Sequence, residues 1–122
     1  MTRTRGPASF SPADRLHNSA EFRYLQRQGA RAEVRHFVVY AGRFPGDEKS
    51  RLGVTVSRRI GGAVVRNRVK RRVREIYRLT LRSMLDSGNS IVVIARSGAG
   101  ELTSAAIAGE LKAAALAIGK SP

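Results

Sequence analysis

The chain has 122 residues, one domain's length, with 23 Lys+Arg against 9 Asp+Glu and a formal net charge of +14. Its 42% apolar content is enough for one core and argues against whole-chain disorder, and the Arg-dominated charge suits a soluble, intracellular binder of a polyanion. The absence of Cys excludes disulfides, thiolate zinc sites and Cys nucleophiles; His17 and His36 are too few for a His-built metal site or triad, and no apolar run approaches the ~18 residues of a membrane span.

Residues 1–16 carry Arg, Ser, Pro and Gly without periodicity and are expected to be a flexible arm, followed by a single domain over 17–122. Pro7 and Pro12 break the amphipathic helix that a targeting peptide would need. Asn18 can cap a helix with Glu21 three residues on, and Gly29 can stop it, which predicts a helix over 19–28 with Phe22 and Leu25 on one side. The segment 36–42, HFVVYAG, is rich in strand formers, and 44–50 is a turn-rich connection. Segment 51–57 alternates, with Leu52, Val54 and Val56 pointing one way and Gly53, Thr55 and Ser57 the other. It is expected to be a half-buried strand antiparallel to the first.

After the basic, Gly-ending junction 58–62, a helix is predicted from Ala63 to about Leu85, with no internal Pro or Gly. At about 100° per residue, Val65, Val69, Val73, Ile76, Leu79 and Thr80 share one arc. Arg66, Lys70, Arg71, Arg74, Arg78 and Arg82 fill most of the rest. Tyr77 and Leu81 fall inside the polar arc, available to a neighbouring element or to a partner. Residues 87–90, SGNS, make a turn, and 91–95, IVVIA, read as a central strand covered on both faces. A final Ala-rich helix over 103–118 carries Ile107, Leu111, Ala114 and Ile118 on one stripe.

The charge is concentrated. Residues 51–82 hold 11 basic side chains and a single acid, Glu75. Such crowding costs self-repulsion unless an anion covers it. Catalytic chemistry, by contrast, has little to work with. The acids are scattered, the Asp47-Glu48 pair lies in a loop turn, and His36 stands without a companion in a strand. Gly61-Gly62 is too short for a phosphate-cradling loop and no G-K-[ST] follows. It does free the backbone ahead of a helix whose first turn offers unpaired N–H groups. Arg66, Asn67 and Arg68 then project within one turn in three directions, and Asn67 adds an amide suited to a sugar or base edge.

Residues 51–74, RLGVTVSRRIGGAVVRNRVKRRVR, resemble the bacterial ribonuclease P protein component. That family shows a strand ending in V-S-basic-basic, then G-x-A-V-x-R-N-R-x-K-R opening a long helix. Arg66-Asn67-Arg68 with Lys70-Arg71 matches residue for residue, and looser agreement extends over about 15–118. The resemblance implies an α+β two-layer sandwich of order α-β-β-(β)-α-β-α, like a ribosomal-protein domain, with a left-handed crossover around the long helix. It implies the small protein subunit of a ribozyme that removes the 5′ leader from precursor tRNA. The protein would be a monomer in a 1:1 complex with the RNA, in the cytoplasm and away from membranes. Hydrolysis and Mg²⁺ would belong to the RNA, leaving the protein without catalytic residues or a confident metal site of its own.

By the same resemblance, Arg58, Arg59, Arg66, Asn67, Arg68, Lys70, Arg71 and Arg74 would face the catalytic RNA. Phe22, Phe37 and Tyr40 would line a cleft where leader bases stack, with Arg23 supplying charge. Core packing is the competing role for Phe22 and Phe37. Two positions depart from the family: Gly62 stands where relatives often carry Asn, and Gln26 where many carry a second aromatic. Leader contact would then be weaker, or lean more on Tyr24 and Arg27. A ribosomal-protein-like binding module without a processing role shares the size and charge but not the 51–74 string. A free-standing nuclease lacks its carboxylates.

Overall fold

The computed structural model describes residues 19–45, 50–85 and 88–119. The expected arm, the Asn18 cap and the Asp47-Glu48 pair lie outside these residues. Helix α1 (Ser19–Gln28) buries Leu25, half-buries Phe22 and exposes Arg23, Gln26 and Arg27. It stops at Gly29, whose N–H donates to the Leu25 carbonyl at 2.8 Å. A Cβ on Gly29 would lie 2.6 Å from the Ala41 carbonyl oxygen, so glycine alone lets the helix end rest on the sheet.

Strands β1 (Ala30–Glu33), β2 (Phe37–Gly42), β3 (Leu52–Thr55) and β4 (Ser90–Ala95) form one sheet in the order β1-β2-β4-β3. The optional extra strand is therefore β1. Its sequence, ARAE, carries no strand formers; it is held by pairing antiparallel to β2 across a short turn. The expected antiparallel pairing of β3 with β2 is not what forms. β4 lies between them, antiparallel to β2 and parallel to β3. The reason is burial: the uninterrupted apolar run of β4 is covered on both faces and takes the centre, while β3, with Thr55 exposed, takes the edge. The long connection between parallel β3 and β4 then requires a helical crossover.

That crossover is α2 (Ala63–Ile76), which runs into a π-turn (Tyr77–Leu81) and a last short turn, α3 (Arg82–Met84). Val69, Val73 and Ile76 are buried as predicted, but Leu79 is 57% exposed while Tyr77 and Leu81 are fully buried. Tyr77 follows buried Val73 by one ordinary helical turn, and the π-turn explains Leu81. Its i→i+5 bonding adds a residue to the turn, so the phase lags and Leu81 takes the inward position that an unbroken α-helix would give Thr80. Helix α4 (Ser104–Gly119) buries Ile107, Leu111, Ala114 and Ala115. Thr103 Oγ1 accepts from the Ala106 N–H at 3.1 Å and caps it.

Helices α2 and α4 pack on one sheet face over Phe37, Val39, Leu52, Ile91 and Val93. The α+β class is as expected, but the sheet lies between helices on both faces rather than in the expected two layers. Helix α1 sits on the opposite face, over Val92. His36, in the β1–β2 turn, ties the sheet to α4: Glu110 accepts from its backbone N–H at 2.8 Å and sits 2.6 Å from its Nδ1.

Candidate nucleic-acid interface

Helix α2 starts at Gly62 with no side-chain cap and no acid in its first turn. Uncapped N–H groups at the positive end of a helix favour an anion. Arg58 and Arg59 stand exposed in the 3-10 turn just ahead of it. Within α2, Asn67 and Arg71 are exposed, and Arg66, Lys70 and Arg74 are half-buried. Arg66 Nε donates to the Gly61 carbonyl at 3.2 Å, which steadies the junction. Arg68 and Arg72 lie toward the 99–102 turn that precedes α4, where they donate to the carbonyls of Gly100 (3.2 Å) and Leu102 (2.8 Å). Arg78 pairs with Glu75, and the Arg82 guanidinium lies 5.1 Å from the centre of the Tyr77 ring.

The α1 side of the sheet carries a second set of groups. Strand register aligns two rows across that face. One is Arg31–Tyr40–Val92–Gly53; the other is Glu33–Val38–Ile94–Thr55. Leu25 of α1 covers Val92 in the first row, with Phe22, Tyr24, Tyr40, Phe44 and Ile94 packed around them and half-buried. The second row is the open end, and β3 leads from it directly into Arg58 and Arg59. β3 joins the two regions: Arg51, just ahead of it, lies against α1, and its far end leads to the basic junction.

Charged groups border this cleft. Glu33 bridges Arg31 (3.0 Å) and Arg96 (2.5 Å). The Arg96 guanidinium first, and then that of Arg31, hold the Glu33 carboxyl below the usual carboxylate range. Arg31 Nε also donates to the Tyr40 hydroxyl at 3.2 Å. At the α1 end, Tyr24 stacks on Phe44 with ring centres 5.2 Å apart, and Arg51 lies 5.1 Å from the Phe44 centre while pairing with Glu21 at 2.8 Å. Half-buried aromatic rings beside arginines are the elements from which single-stranded nucleic-acid sites are built.

A sequence profile described as Ribonuclease P matches residues 10–119. The chain belongs to the ribonuclease P protein family. It is 39% identical over 106 residues to the ribonuclease P protein component of Desulforapulum autotrophicum, covering 87% of this chain and 89% of that one. The component from Syntrophobacter fumaroxidans is also 39% identical, over 111 residues, with coverages of 89% and 91%. Among solved structures, the RNase P protein of Staphylococcus aureus superposes with a TM-score of 0.76 at 34% identity, covering 88% of this chain and 95% of that one. The RNase P protein of Thermotoga maritima gives 0.72 at 29%, with coverages of 88% and 97%.

Membership sets the expected site residues against the observed geometry. Arg58, Arg59, Arg66, Asn67, Arg68, Lys70, Arg71 and Arg74 all lie on the junction or on α2, but Arg68 is partly consumed by its bond to Gly100. Phe22 and Tyr40 do share the cleft, with Arg23 exposed on α1 beside them. Phe37 does not. It is fully buried on the opposite face, in the core under α2 and α4. The alternation of a strand explains the correction, because Phe37 and Tyr40 are an odd number of residues apart and point to opposite faces. Phe44, Arg31, Arg51 and Arg72 are contributors that the sequence reading did not select. Phe44 and Arg51 flank a turn-rich connection, and only the tertiary fold brings them to the rings of α1.

Among the described residues, no group of three or more His or acidic side chains is placed to hold a metal ion. Glu21, Glu33, Glu75 and Glu110 instead face Arg51, Arg31 with Arg96, Arg78 and His36. Carboxylates engaged in this way do not fit a protein-held Mg²⁺. No helix among the described residues is long and apolar enough to cross a membrane.

Proposed function

We propose that this chain is the protein subunit of a ribonuclease P ribonucleoprotein, binding the catalytic RNA and the 5′ leader of precursor tRNA so that the RNA, with its Mg²⁺, removes the leader. One protein monomer would serve one RNA, in the cytoplasm. The observation that carries this reading is the crowd of exposed and half-buried cations on the junction and the uncapped start of α2, in a chain matched to ribonuclease P proteins over residues 10–119. Arg58, Arg59, Arg66, Asn67, Lys70, Arg71 and Arg74 would engage the folded RNA through phosphates and sugars. Phe22 and Tyr40 would stack leader bases, with Arg23, Arg27 and Tyr24 beside them. The protein contributes charge neutralisation and alignment, and no side chain is assigned to bond cleavage.

The cleft is tested by comparing precursor tRNA with mature tRNA on the assembled enzyme. Stacking is worth about 1–3 kcal/mol per base, so Phe22→Ala should weaken precursor binding by roughly 5- to 150-fold. Mature tRNA, which has no leader, should bind nearly unchanged. An equal loss on both RNAs would assign Phe22 to the packing of α1 rather than to the leader.

A further inference from the structure

The arginines of the R-N-R tripeptide do unlike things. Asn67 is exposed, as is Arg71 one turn on, and Val64, one turn before Asn67, is 78% exposed. This spacing of three and four residues is one line along the outer side of α2. Arg68 faces another way. Its Nη2 donates to the Gly100 carbonyl and its Nε is shielded from solvent. Arg72, one turn on, repeats the bond to the Leu102 carbonyl.

Both acceptors lie in the turn formed by Ala99–Glu101 and its following residue, which is itself well fixed. Ala99 and Gly100 are buried, and the Ala99 N–H donates to the Arg96 carbonyl at 3.1 Å. A Cβ on Gly100 would come within 2.7 Å of Val65 Cγ1 and 3.2 Å of the Ile60 carbonyl oxygen, so glycine lets this turn press against the start of α2. Two arginines thus hold the middle of the helix on a buried turn from the side opposite Arg66 and Lys70.

We propose that Asn67 and Arg71 form the RNA-contacting crest of α2, and that Arg68 and Arg72 are positioning residues that hold this crest in place by bracing the helix on the 99–102 turn. The inference rests on the reading that α2 docks on the catalytic RNA. Asn67 offers an amide to a ribose hydroxyl or base edge, a contact that carries no net charge. Arg71 offers its guanidinium to a phosphate. A fixed helix meets both partners without paying to order itself on binding.

The test is a double-substitution cycle on the full chain, titrated against a transcribed bacterial ribonuclease P RNA between 50 and 200 mM salt, the range over which phosphate contacts register. Thermal unfolding establishes that each variant is folded at the assay temperature. Asn67→Ala should weaken binding about tenfold with the salt slope unchanged. Arg71→Ala should make the slope shallower by about one phosphate contact. Arg68→Ala should also cost about tenfold at unchanged slope, shrink to under about threefold when Asn67 is already Ala, and be restored by Arg68→Lys, which keeps one donor for Gly100. A shallower slope for Arg68→Ala, with losses that add to those of Asn67→Ala, would make Arg68 a direct phosphate contact and overturn the inference. So would a folded Arg68→Ala protein with undiminished affinity. Failure of the unaltered chain to bind the RNA would overturn the docking reading, and this inference with it.

Discussion

Binding of the chain to a ribonuclease P RNA is expected to weaken by about 10³-fold between 50 and 200 mM salt, the value for roughly six neutralised phosphates. The estimate counts the six cations that the proposed function places on the RNA. Arg58, Arg59, Arg66, Lys70, Arg71 and Arg74 keep exposed or half-exposed side chains around the α2 start and its outer side. Arg68 and Arg72 spend donors on backbone carbonyls, Arg78 is paired with Glu75, and Arg82 lies against Tyr77. A chain in which every basic residue of 51–82 met a phosphate would exceed about 10⁵-fold over the same interval. Affinity measured at several salt concentrations separates the two. A loss of only about tenfold would mean that the basic segment is a solvated helix face with little contact to RNA.

Replacing Phe37 by Ala is expected to destabilise the protein by about 3–5 kcal/mol, the usual cost of emptying a buried aromatic site. Phe37 is fully buried beneath α2 and α4, paired opposite Ala95 on the central strand. Against a total stability of about 5–15 kcal/mol for a domain, a loss of this size is readily measured by denaturant or thermal unfolding. Its functional signature should differ from that of Phe22→Ala. Whatever fraction remains folded should bind precursor and mature tRNA in the unaltered ratio, because Phe37 does not reach the cleft. A normal melting temperature with a selective loss of precursor binding would place Phe37 on the leader side after all.

These cases show where sequence reasoning reached and where it stopped. Local signals were sufficient for α1, whose stop at Gly29 follows from the glycine itself, and for β4, whose apolar run announces a central strand. They were sufficient for the start of α2, with its junction and its R-N-R cluster. The opposite faces of Phe37 and Tyr40 are also legible, since strand parity alone separates them; only the family resemblance groups the two. Other features depend on contacts distant in sequence. The ARAE segment becomes a strand only because β2 offers it a partner. The parallel pairing of β3 reflects competition for the buried centre of the sheet. The bonds from Arg68 and Arg72 to the 99–102 turn span about thirty residues, and nothing in the spacing of a basic helix distinguishes a brace from a phosphate contact. The inward turn of Leu81 required a π-turn, a departure from helical period that composition does not announce.

The acids illustrate the same point for chemistry. Scattered in the sequence, Glu21, Glu33, Glu75 and Glu110 each meet a basic side chain in the fold, which agrees with the proposal that cleavage belongs to the RNA partner. The most direct measurement is cleavage of precursor tRNA by the repurified, nuclease-treated chain with and without a ribonuclease P RNA, across a range of Mg²⁺ concentrations. The account predicts no cleavage by the protein alone at any Mg²⁺ concentration, and leader removal at low Mg²⁺ only when protein and RNA are combined. Leader removal by the RNA-free protein, or an RNA whose low-Mg²⁺ activity is indifferent to the protein, would contradict it.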